Sequence, residues 1–244
     1  IAIFLIALAS LVLGMGLPVT AAYIVLGTLS APALHALIAD GLLVQALVNG
    51  QIPEAAKAIF MIAAPDQLAA IGNPMTTEAA RAIVDAIPVD MASMVRDAAL
   101  SPHSMTYALL AAHLIIFWLS QDSNVTPPVA LAAFTGAAIA GTKPMETGFQ
   151  SWKVAKGLYI VPLLFAYTPF IGGSWIEVLL IFVFALFGLY AFTATLQGFM
   201  EAKLQWPMRL LTAGCAIALL WPVAWPVHLA GMLVLIGLFI ISFR

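Results

Sequence analysis

The stretch "LSQDSNVTPPVALAAF", residues 119–134, lies in one of the most apolar parts of the chain. An Asp, a Ser, an Asn, a Thr and two prolines interrupt what otherwise reads as a membrane helix. Polar groups are costly at that depth, and a proline withholds the N–H that a helix needs. The reading of this interruption decides the fold: either a helix kinks here, or two helices end and begin here inside the bilayer. A kink needs one proline. It does not need Asp-Ser-Asn ahead of it and a Thr beside it, so the break reads as functional.

Composition sets the solvent. Of 244 residues, 64% are hydrophobic and 8% charged, with mean hydropathy +1.08. Soluble domains carry about 45–50% apolar and about 25% charged residues. The expected class is therefore an all-α polytopic membrane protein. A formal charge of −2 argues against nucleic acid as a partner. Cys215, alone of its kind, sits in an apolar run and reads as a small packing residue. The chain opens in an apolar run with neither Met nor a basic segment, which is not a signal peptide. It is expected to be part of a longer protein.

Five segments follow. Residues 1–40 read as a membrane hairpin or broken helix with GMGLP (14–18) at its tip. Residues 41–102 read as an amphipathic insert outside the bilayer. With Asp40 it holds half the chain's charges, and Pro53, Pro65, Pro74, Pro88 and Pro102 punctuate it. Ala80, Ile83, Ile87, Met91 and Met94 recur at helical spacing, interrupted at Pro88, with Glu78, Arg81 and Asp85 on another face. Residues 103–141 read as a discontinuous membrane helix broken at SNVTPP, and 142–156 as a cytoplasmic connector. Residues 157–244 hold the remaining spans, about 157–171, 175–199 and 208–243, the last long enough for two crossings about WPVAWP (221–226). Trp175, Trp206, Trp221 and Trp225 fall near span ends, as an aromatic belt does. Lys143, Lys153, Lys156, Lys203, Arg209 and Arg244 share one side if the spans alternate, and the positive-inside rule makes that side cytoplasmic. If 104–141 crosses once, the acidic insert then faces outside.

Both interruptions follow one logic. In GMGLPVT (14–20), Gly14 and Gly16 permit unusual backbone, Pro18 disfavours helical geometry before it, and Thr20 caps the helix that follows. In SNVTPPV (123–129), Ser123, Asn124 and Thr126 supply oxygens, and Pro127 and Pro128 suit the first turn of a new helix. Carbonyls freed in hydrocarbon must face protein, water or an ion. The end of one helix brings negative dipole and the start of the next positive dipole, so cation- and anion-attracting groups meet.

These motifs also carry a resemblance. GMGLPVTAAYIVL, SNVTPPVALAAF, AAIAGTKPMETGFQSWK and IVPLLFAYTP together resemble the large membrane subunit of TRAP transporters. Within that family the chain is most similar to the C-terminal part of fused permeases that work with TAXI-type binding proteins. The likeness covers nearly everything outside about 41–102 and reaches FALFGLYAF and LQGF near the C-terminus. It implies the second half of an inverted-repeat, elevator-type fold of the ion transporter superfamily, with hairpin and discontinuous helices. It implies a sodium symporter in the bacterial inner membrane, fed by a periplasmic substrate-binding protein and paired with a small membrane subunit, sometimes fused upstream. The implied cargo is a small organic anion such as a C4-dicarboxylate, with Na⁺ as coupling ion. Carried over, Gly14, Gly16, Pro18 and Thr20 would line one side of a sodium and substrate site, and Ser123, Asn124, Thr126 and Pro127 the other. The acidic insert departs from the short connection expected there; it either shapes the docking surface for the binding protein or decorates the surface.

Other residues have blander readings beside their functional ones. His113 is a transport group or a neutral histidine bonded to a neighbouring helix. His35 and His228 sit near span ends. Asp122 tunes a bound cation or faces water. Glu177 lies in a first turn, where the helix dipole favours an acid. No Ser-His-Asp, paired-carboxylate or phosphate-cradle pattern occurs, and GTKPMETG (141–148) is not a P-loop. An enzyme is not expected. The alternatives left open are a membrane-embedded enzyme or assembly subunit with the break as its site, and an ion channel.

Overall fold

A computed structural model describes residues 2–14, 16–122 and 124–242. The chain divides into two compact units, one of residues 1–6 and 25–113, the other of residues 7–24 and 114–244. Helix α1 (Ala2–Gly14) precedes α2 (Val19–Leu29) and α3 (Ala31–Val48). Hydrogen bonds run on through the α2–α3 junction: Ser30 N–H donates to Leu26 O at 2.7 Å, and Leu34 N–H to Ser30 O at 3.0 Å.

The first unit is centred on α3. Its second half carries the insert helices α4 (Glu54–Ala63), α5 (Thr77–Ala86) and α6 (Ala92–Ala99), with a 3-10 turn at Pro65–Ala70. Leu43 and Leu47 of α3 are buried, as are Phe60, Ile83 and Val95 of the insert helices. Burying a side chain of that size contributes roughly 1.5–3 kcal/mol, so the insert has a core of its own. Arg96 clamps Asp40 bidentately, Nε to Oδ1 at 2.7 Å and Nη2 to Oδ2 at 3.2 Å. The Thr76 side chain caps α5 by accepting from Ala79 N–H at 3.3 Å. Gly50 has φ +66, and a Cβ there would stand 3.0–3.1 Å from the backbone of residues 72–74. Only glycine fits that turn.

The interruption expected at Pro88 is present, and beyond it the apolar stripe restarts in a different phase, which leaves Met94 outside. Ala80 and Ile83 are buried in α5, but Met94 is 55% exposed, and Val95 and Ala99 face inward on α6 instead. Proline ends the first helix, and the bend at 87–91 restarts the second in a new phase.

The second unit holds α7 (Pro102–Asp122) from Leu114 on, α8 (Leu131–Ala140), α9 (Pro144–Val154), a 3-10 turn at Ala155–Ile160, α10 (Val161–Tyr167), α11 (Trp175–Gln197), α12 (Trp206–Leu220) and α13 (Trp225–Ser242). The expected span at 157–171 is not one regular helix. A 3-10 turn leads into a short α10 that carries Pro162 near its start, where the missing N–H costs nothing. Among the described residues, four helices are long and apolar enough to cross a membrane: α3, α7, α11 and α13. The exposed faces of α11 and α13 carry Leu, Ile, Val and Phe, as helices facing lipid do.

α11, α12 and α13 share a core that includes Phe184, Ala191, Cys215, Leu219 and Leu235. Small residues set their spacing. A Cβ on Gly188 would lie 2.7 Å from Leu220 Cγ and 3.1 Å from Leu219 Cβ. Thr195 donates to Thr212 Oγ1 at 2.9 Å, and Thr212 donates to Arg209 O at 2.9 Å. Arg209 reaches back to the C-terminal carbonyls of α11, donating to Thr195 O at 2.5 Å and Leu196 O at 2.9 Å. A cation at a helix C-terminus complements the dipole. His228, expected near a span end, bridges helices: its Nδ1 lies 2.8 Å from Ala218 O, and its ring stacks on Phe184. The head of α11 is a capping box, in which Ser174 Oγ accepts from Glu177 N–H at 3.4 Å and Glu177 Oε2 accepts from Ser174 N–H at 2.8 Å. Glu177 is thus a structural acid.

Candidate functional site

The break between α7 and α8 is a folded loop. α7 stops at Asp122, and Pro127 and Pro128 forbid its continuation. Asn124 N–H donates to Gln121 O at 3.0 Å, and Val125 N–H to Asp122 O at 3.3 Å. Ala130 N–H donates to Thr126 O at 3.2 Å. Ala130 itself is left-handed, φ 34 and ψ 47, and fully buried. For a residue with a Cβ that conformation costs roughly 1–2 kcal/mol, which the surrounding packing must offset. The two prolines therefore lie ahead of α8, not in its first turn as the sequence suggests. The left-handed Ala130 delays the helix start to Leu131.

A backbone bond joins the two helix ends. Ala132 N–H, near the start of α8, donates to Asn124 O at 3.2 Å. A free donor at one terminus and a free acceptor at the other thus satisfy each other. Thr126 is buried. Its Oγ1 donates to Asp122 O at 2.6 Å and lies 2.7 Å from the Tyr159 hydroxyl. Asp122 does not face water: it is 1% exposed, and neither carboxylate oxygen has a hydrogen-bond partner among the described residues. A buried carboxylate in that position is costly unless something pairs with it.

The connector packs on this loop. A Cβ on Gly148 of α9 would lie 2.9 Å from Phe134 Cε1 and 3.4 Å from Pro127 Cγ. From the 3-10 turn, Leu158 O accepts from Trp118 Nε1 at 3.0 Å, and Tyr159 reaches Thr126. Trp118 also meets Phe165 edge-to-face at 5.9 Å. These contacts leave no mark in the sequence. A tyrosine in an apolar run reads as an interfacial residue, and nothing periodic links it to a threonine thirty-three positions earlier.

The first break is simpler. Gly16 N–H donates to Leu13 O at 3.1 Å, and Ala22 N–H to Pro18 O at 2.9 Å. Pro18 therefore precedes the first turn of α2, and Thr20 lies inside that turn rather than capping it. Gly14 is buried, and Gly16, Pro18 and Thr20 are exposed. The ring of Tyr23, about one turn beyond Thr20, meets Phe117 of α7 edge-to-face at 5.6 Å. That contact brings α2 beside α7, but among the described residues no hydrogen bond joins GMGLPVT to NVTPP. Ser123 lies outside the described residues. Of the remaining residues expected at the second break, Thr126 anchors the loop by its side chain, Asn124 by its backbone, and Pro127 by packing against α9.

The donor set is all oxygen: backbone carbonyls, the Thr126 hydroxyl and the Asp122 carboxylate. Hard cations take such ligands. Among the described residues no group of three or more His, Cys, Asp or Glu side chains gathers to hold a metal ion.

Residues 1–171 match the family model described as "Tripartite ATP-independent periplasmic transporter, DctM component". Comparison with curated proteins and with solved structures found no match.

Proposed function

This chain belongs to the DctM component family of tripartite ATP-independent periplasmic transporters, and from that premise we propose that it is the C-terminal part of a sodium-coupled, TAXI-type permease importing a small organic anion. Family membership makes it an integral, multi-pass membrane transport protein and not an enzyme. It also implies a substrate-binding protein and a small membrane subunit as partners. The finer reading gives Na⁺ the coupling role, a carboxylate or dicarboxylate the cargo role, and a bacterial inner membrane as the setting. The small subunit is either separate or fused upstream.

The observation that carries this reading is the α7–α8 break. Two helix ends are closed on each other by Asn124 and Ala132, beside the Thr126 hydroxyl and a buried carboxylate that has no hydrogen-bond partner among the described residues. Such a site attracts a small cation through oxygen alone. The neighbouring start of α8 presents positive dipole to an anion. Secondary transporters use discontinuous helices in this manner. GMGLPVT would supply the opposing wall when transport closes the site.

The test is uptake into proteoliposomes by the complete transporter, with its binding protein and an imposed sodium gradient. Asn124→Ala and Thr126→Ala are each expected to abolish sodium-dependent uptake while the protein still inserts. Undiminished uptake by both variants would remove the site assignment.

A further inference from the structure

A hydroxyl has one proton to give, and that fixes the direction of a small relay beside the break. Thr126 Oγ1 is 2.6 Å from Asp122 O, and a carbonyl only accepts. The Thr126 proton is therefore spent on that carbonyl. The 2.7 Å contact between Thr126 Oγ1 and the Tyr159 hydroxyl must then run the other way, with the phenol donating. The relay is Tyr159 O–H to Thr126 Oγ1, and Thr126 O–H to the last carbonyl of α7.

This leaves Thr126 Oγ1 with one lone pair, facing neither the phenol nor the carbonyl. An oxygen so constrained has a defined direction in which it can meet a cation. It is also polarised by the bonds on either side. The phenol is itself held in place. Its neighbour Leu158 is tied to α7 by the Trp118 indole N–H at 3.0 Å. Consecutive residues of the 3-10 turn thus grip the end of α7 at two points, one about a turn before Asp122 and one about a turn after.

We propose that Tyr159 is a positioning residue of the coupling-cation site, acting through Thr126 rather than touching the ion, with Trp118 holding it there. The proposal rests on the reading of the break as the sodium site. It goes beyond that reading by placing control of cation affinity in the connector between α9 and α10, outside both breaks.

The complete transporter in proteoliposomes, supplied with its binding protein, tests this by the Na⁺ concentration that half-saturates uptake. Tyr159→Phe removes the donor and keeps the ring. Losing one neutral hydrogen bond of ordinary strength predicts a rise in that concentration of roughly five- to tenfold, with a smaller change in maximal rate. Trp118→Phe, which releases the turn, is expected to shift it in the same direction. It decides the question alone if Tyr159→Phe fails to insert. A merely structural role would lower the melting temperature and the maximal rate but leave the sodium half-saturation where it was. That result in both variants, alongside an inactive Thr126→Ala, overturns this inference and leaves the site assignment standing. Undiminished uptake by Thr126→Ala, or sodium-independent uptake by the unaltered transporter, overturns both.

Discussion

The backbone carbonyl of Asn124 accepts the N–H of Ala132 at 3.2 Å, so the end of α7 and the start of α8 close each other across the proline pair. An interrupted helix in hydrocarbon has to dispose of four free carbonyls at one end and four free N–H groups at the other. Here part of that need is met internally. The loop then has a fixed shape, from which the Thr126 hydroxyl and the Asp122 carboxylate project as side-chain groups.

The contact between α9 and this loop should be sensitive to volume. A Cβ on Gly148 would meet Phe134 Cε1 at 2.9 Å and the Pro127 ring at 3.4 Å. Gly148→Ala needs only a small shift of the Phe134 ring and is expected to keep most uptake. Gly148→Leu cannot be absorbed that way. It should lower uptake at least tenfold while membrane insertion, followed by fractionation, stays normal.

Close packing of α11 on α12 predicts a loss of stability unrelated to transport chemistry. Gly188→Val places methyls where Leu220 and Leu219 already stand, within about 3 Å. Overpacking of this kind costs roughly 1–3 kcal/mol. The purified protein should melt at a lower temperature, and sodium half-saturation in what remains folded should not move.

The Asp40–Arg96 pair should matter to the insert alone. It is bidentate and only partly exposed, so removing one partner strands the other. Arg96→Met is expected to cost on the order of 1–3 kcal/mol and to open the insert to limited proteolysis. Comparable cleavage of the variant and the parent would show the pair to be dispensable.

Cys215 is buried among the residues joining α11, α12 and α13. It should resist maleimide in the folded protein and react after unfolding. Cys215→Ala leaves only a small void and is expected to leave uptake unchanged. A large loss would mean that this helix does more than pack.

Much of this is legible in the sequence. Two prolines beside several polar side chains in an apolar run announce a break, because a simple kink needs only one proline. That cue marks SNVTPP, while GMGLP is marked by its two glycines and Pro18. What was hidden depends on contacts far apart in sequence. Tyr159 looks like any tyrosine near a membrane surface until the 3-10 turn folds it onto Thr126. Pro127 and Pro128 suit a first helical turn by rule, yet the left-handed Ala130 defers the helix beyond them. Met94 shares the spacing of the α5 stripe, but Pro88 resets the phase and leaves it outside.

The capping box at the head of α11 has a mechanical consequence. Glu177 holds both the N–H and the hydroxyl of Ser174, and the Pro169 carbonyl leaves Gly173 no space for a side chain. The head of α11 therefore has no slack to unwind. If this part of the chain moves during a transport cycle, it must lean as a stiff post with α12 strapped along its length, and the bending falls to the joints on either side.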